Sequence, residues 1–193
     1  MTVIRLAVLG LTALLAAACL PVTSKHPVGS TVGLKNDPAL VGVWKGHGGD
    51  GDSKDGYFAF LNTPGGTMSV LMFSPAEDDG WESLSVQTAA LGGLHVMNAH
   101  LLAKNGEPET DPAAKDNIVL AYRLEGGKLT LSLLDEKKVA AAIKSGKLQG
   151  IVDPGNTGDV HITAEPAALD AFFASKDGAA LFGEDLVTMK KVD

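Results

Sequence analysis

The chain of 193 residues is 45% hydrophobic, 20% charged and 5% aromatic, with a formal net charge of −7. That length suits one domain able to bury a core, the apolar content excludes a wholly disordered chain, and the acidic balance argues against a nucleic-acid partner. A single cysteine excludes a disulfide framework, a CxxC redox pair and a cysteine-rich zinc site.

In chain order, the first element is a leader. Met1–Ala18 carries one charge, Arg5, followed by a run from Leu6 to Ala18 that is apolar apart from Thr12. The run is shorter than the ~20 apolar residues a spanning helix needs, so it reads as a secretory signal. It ends in Leu15-Ala16-Ala17-Ala18-Cys19, which resembles the lipobox of bacterial lipoproteins. The resemblance implies cleavage before Cys19, a diacylglycerol on its sulfur and an acylated new amino terminus. Several acyl chains, at about 0.8 kcal/mol per buried methylene, would hold the protein on a membrane. Leu20 after the cysteine implies the outer membrane, with the body in the periplasm. Residues 19–39 then read as the lipidated cysteine and a flexible tether, because Leu20 to Pro38 is rich in Pro, Gly, Ser, Thr and Lys without a hydrophobic period.

From residue 40 to residue 193 the pattern is that of one mainly β domain, an antiparallel barrel or sandwich. Strands are expected over Leu40–Lys45, Tyr57–Leu61, Thr67–Phe73, Trp81–Ala89, Leu94–Leu102, Asn117–Leu124 and Lys128–Leu134, with glycine-rich turns between several of them. Asp135 is placed to cap a helix ending at Gly146, and Thr163 a second helix carrying Leu169, Phe172 and Phe173. Short strands are expected at Leu148–Val152, Val160–Thr163 and Asp185–Lys190. Gly46–Gly56 and Ala103–Asp116 read as long polar loops.

Leu40-Val41-Gly42-Val43-Trp44 resembles the G-x-W signature that opens the first strand of lipocalins and lipocalin-like bacterial proteins. The resemblance implies that Trp44, with Gly42, plugs one end of an eight-stranded barrel, and that Lys190 or Lys191 from the last strand lies over the indole. The later order of Tyr122-Arg123-Leu124, a Gly-Gly turn, Leu129 to Asp135, a helix and Ile162-Thr163-Ala164 resembles families of proteobacterial lipoproteins that have no assigned activity. The helices of the last third are additions to the lipocalin plan.

Signs of catalysis are weak. Gly46-His47-Gly48-Gly49-Asp50-Gly51 matches GxGxxG, but a strand follows it where a dinucleotide site needs a helix. Asp50, Asp52 and Asp55 offer oxygen ligands for calcium without EF-hand spacing. His95 and His100 fall on opposite faces of one strand. HExxH, GxSxG and SxxK are absent from the sequence. No cofactor is expected, and the chain reads as a non-catalytic binding protein.

Phe58, Phe60, Met68, Met72 and Met97 are candidates to line an apolar cavity for a small apolar ligand or lipid. Asn98 and His100 share a strand face with Leu94, Val96 and Leu102, and join the cavity if that face points inward. The alternatives are an inhibitor or immunity lipoprotein that uses acidic loops against an envelope enzyme, or an accessory of an outer-membrane assembly.

Overall fold

The computed structural model describes residues 21–48, 55–63, 66–73, 80–111, 115–153 and 160–192. Twelve strands form one sheet: β1 (Thr23–Ser24), β2 (Gly42–Gly48), β3 (Asp55–Thr63), β4 (Thr67–Phe73), β5 (Trp81–Leu91), β6 (Leu94–Lys104), β7 (Glu107–Pro108), β8 (Asn117–Glu125), β9 (Lys128–Leu134), β10 (Gly150–Val152), β11 (Val160–Ile162) and β12 (Phe182–Lys191). Eight of them close into an antiparallel ring, β2-β3-β4-β5-β6-β8-β9-β12, with β12 pairing back onto β2. Closure leaves no open edge in the ring, and eight strands enclose an interior just wide enough for side chains or one small ligand.

Period-2 alternation decides which side chains enter that interior. Met68, Val70 and Met72 of β4 and Leu84 and Val86 of β5 point in, while Ser69, Ser83 and Ser85 point out. On β8 and β6 both faces are apolar, because a second core lies outside the ring. There Val96, Val119, Ala121 and Leu134 pack under the helices α1 (Glu136–Lys144) and α2 (Pro166–Phe173), through Val139, Ala142, Leu169 and Phe173. A third short helix, α3 (Lys176–Ala179), leads into β12.

Several expectations change here. Residues 21–39 are not a free tether. β1 is inserted between β8 and β11, Val22 and Val28 are buried in the outer core, and Lys35 bridges to Thr88. The hydrogen-bond partners of this segment lie on distant elements, so no local period announces its order. Its Gly29 has φ of +95°, and a Cβ there would lie 2.1 Å from the Ala89 Cβ, so only glycine allows the approach.

The long loops shorten at both ends. β2 runs to Gly48 and β3 starts at Asp55, while β7 folds back on β6 through Asn105-Gly106. Asp135 caps α1 by accepting from the Lys138 amide, as the sequence indicates. α2 instead starts with Pro166 in its first turn after an extended Glu165, and Thr163 is bonded to Gln149. Proline preset for the first turn takes the place of a side-chain cap.

Candidate functional site

The two ends of the ring are built differently. At one end, the 3-10 turn Pro38–Leu40 folds across the opening and Trp44 fills it. The indole N–H donates to the Leu40 carbonyl oxygen at 2.7 Å. Lys191 lies over the ring, its Nζ 5.5 Å from the centroid. Gly42 makes this possible: its φ is +129°, and a Cβ would stand 2.6 Å from the Lys191 Cε. Met68, Tyr122, Leu129 and Met189 complete the plug. The Tyr122 hydroxyl donates to Asp37 at 2.9 Å; burial first, and then the Asp37 carboxyl, raise the phenol far above its usual range.

Toward the other end the interior is underfilled. A cavity of about 100 Å³ lies among Phe58 and Phe60 of β3, Val70 and Met72 of β4, Leu84 and Val86 of β5, Met97 and Ala99 of β6, and residues of β8, β9 and β12, with Pro21 at its wall. Every described lining residue is apolar. The strands give the cavity a direction: on β8 it touches Ile118 and Leu120 but not Tyr122, and on β9 Leu131 and Leu133 but not Leu129. A dry apolar void of this kind offers no partners to water and attracts apolar solutes.

Phe58, Phe60, Met72 and Met97 therefore lie together on the cavity wall, while Met68 is buried in the plug instead. Asn98 and His100 do not reach the cavity. Met97 and Ala99 take the inward positions of β6, which turns Asn98 to the outer core. There it holds the N-terminal segment, accepting from the Val28 amide at 2.8 Å and donating to its carbonyl at 2.9 Å. His100 alternates with it on the outward face, opposite Ser85. Asp55 forms an ion pair with Lys45. Asp50, Asp52 and Cys19 lie outside the described residues.

Two groups escape a reading of the sequence. Asp170, buried on α2, accepts from the Gly29 amide at 2.6 Å, the Thr31 amide at 2.8 Å and the Thr31 hydroxyl at 2.6 Å. Its signal is a charge on the same helix face as Leu169 and Phe173. Pro21 is the other, brought to the cavity only by the pairing of β1.

A wider groove of about 630 Å³ on the plugged side of the barrel is lined by Asp37, His95, Tyr122, Arg123, Glu125 and neighbours. Several of its polar groups are already engaged: Tyr122 with Asp37, and Arg123 and Ser132 with Asp185 beside the groove. Arg123 donates to both Asp185 oxygens at 3.0 Å, and Ser132 reaches the same carboxylate at 3.1 Å.

Comparison with protein-family models, with curated proteins and with solved structures returns no match to the chain.

Proposed function

We propose that this is a lipocalin-like, membrane-anchored envelope lipoprotein that binds the alkyl chain of a lipid or similar small apolar molecule without catalysis. The observation that carries the reading is the all-apolar cavity on the side of the barrel away from Trp44. Its volume, about 100 Å³, is below the roughly 300–1,000 Å³ of sites for drug-sized ligands. It suits a slender hydrocarbon segment rather than a fused-ring molecule. The Gly42-Trp44 plug under Lys191 and the eight-stranded ring support the lipocalin-like part.

Anchor and cavity are neighbours in this reading. Pro21 lines the cavity, and consecutive Cα atoms are ~3.8 Å apart, so the acylated Cys19 can stand no more than about 7–8 Å from Pro21. Because residues 21–39 pack on the barrel, such an anchor would keep the cavity close to the membrane surface. Ligand then exchanges with the membrane directly.

Native mass spectrometry of the protein extracted from its own membrane tests this. The expected result is a noncovalent adduct of alkyl-chain mass, in addition to the acyl groups on Cys19, that Ala99→Leu removes. A body without adduct, or an adduct indifferent to Ala99→Leu, would count against the cavity. A co-purifying protein would favour an inhibitor or assembly role, and the acidic Asp50 and Asp52 of the first polar loop lie outside the described residues.

A further inference from the structure

Glu82 begins the inward face of β5, two residues before the cavity-lining Leu84 and opposite Met72 of β4, also on the cavity wall. Its side chain therefore lies on the inward face just past the cavity-lining residues, on the side away from Trp44 and about 7 Å along the strand from Leu84. It is 2% exposed, and among the described residues neither carboxyl oxygen has a hydrogen-bond partner. Among the described residues the one cation beside it is Lys104, at 3.3 Å, across the β5–β6 pair. That contact is possible because a register shift next to Leu84 moves Lys104 back onto the inward face, while Leu102 turns to solvent.

A carboxyl group buried at the rim of an apolar cavity and short of donors is unusual, since buried polar groups in folded proteins are almost always satisfied. A carboxylate has room for about four hydrogen bonds, and a single lysine in poor geometry leaves most of that capacity unused. Building on the cavity reading above, we infer that Glu82 is the head-group acceptor. The ligand is then an amphiphile with a single alkyl chain in the barrel and a hydrogen-bond-donating head at Glu82, an ammonium before a hydroxyl. A carboxylate head would face Glu82 with like charge and leave its oxygens without donors.

The test uses the full chain extracted from membranes and offered decylamine, decanol and decanoate at equal concentration, with occupancy read by native mass spectrometry. Wild type takes decylamine about tenfold over decanoate, with decanol between them, as a charge-assisted bond to a buried carboxylate implies. Glu82→Gln, nearly identical in shape, removes most of that preference while still taking up the neutral alcohol. Lys104→Met acts in the opposite direction and widens it, because it frees Glu82 from its lysine. Equal uptake of all three by wild type, or a preference for decanoate, would overturn the role of Glu82 and leave the cavity reading standing. Uptake of none of the three would overturn the cavity reading itself.

Discussion

The two ends of the barrel share strands, register and closure, and differ only in what their inward positions carry. At the plugged end Trp44, Tyr122, Leu129, Met189 and Met68 fill the section, and three polar groups of that plug find partners: the indole at Leu40, the phenol at Asp37 and the Lys191 ammonium over the indole. At the cavity end the described wall residues are no less apolar, but they include the small Ala99, and Phe58 and Phe60 leave a cavity of about 100 Å³ between them and the aliphatic residues and Met72 and Met97. Aromatic anchors with a polar handle lock a section, whereas flexible Met and aliphatic side chains leave it adaptable. Rigidity is thus concentrated at one end and capacity at the other.

The strongest way to break the contrast is Trp44→Ala. It removes a large buried ring, the bond to Leu40 and the platform under Lys191, and an aromatic-to-alanine change in a core costs about 3–5 kcal/mol. Denaturant unfolding should show a loss of that size. Any surviving fold should admit small apolar probes at both ends rather than one.

Asp170→Ala comes next. It leaves the buried Gly29 amide without an acceptor and takes away two bonds to Thr31. Bonds to a charged acceptor are worth about 1.5–3 kcal/mol, so a loss of about 2–3 kcal/mol is expected. Limited proteolysis should then cut within residues 25–36, because Asp170 helps to seat the segment that brings Pro21 to the cavity. An unchanged cleavage pattern would show that Asn98 and β1 hold the segment without it.

Tyr122 sharpens the comparison through pH. Its phenol titrates well above the usual 10 in the folded protein. The stability it contributes is therefore complete below pH 10 and is lost as pH rises beyond it, where the unfolded chain ionises first. Tyr122→Phe should flatten that alkaline decline and cost about 1 kcal/mol at neutral pH. The loss stays small because Asp37 keeps its bond to the Ala39 amide. Thermal melts across the alkaline range would read both effects.

The barrel was legible because strands such as β4 and β5 alternate cleanly. The Thr67–Phe73 and Lys128–Leu134 boundaries coincide with the observed strands, and Trp44 and Lys191 meet as the G-x-W resemblance implies. What was hidden depends on distant partners. Asn98 reads as one of a set with Val96, and only the outer core shows that this face turns away from the cavity toward Val28. The order of residues 21–39 rests on β8, β11 and α2, none of them near in sequence. Glu82 could have been noticed as an acid on the same face as Leu84 and Val86, but its pairing with Lys104 depends on the register shift opposite it.

The smallest expected effect belongs to Lys191→Met. The substitution keeps an unbranched side chain to lie across Gly42 and cover the indole, and removes only the charge. A cation over an aromatic face at an exposed site is worth about 0.5–1 kcal/mol, and that is the loss expected in a denaturant titration. Gly42→Ala is the informative partner. Its Cβ would collide with Lys191 and would sit at a φ of +129° that alanine tolerates poorly, so its cost should exceed that of Lys191→Met. If the Gly42→Ala loss is no larger with Lys191 present than in a Lys191→Ala background, which clears the space over Gly42, backbone strain alone explains this glycine. If the two losses couple, Gly42 is there to let the last strand's lysine close the plug.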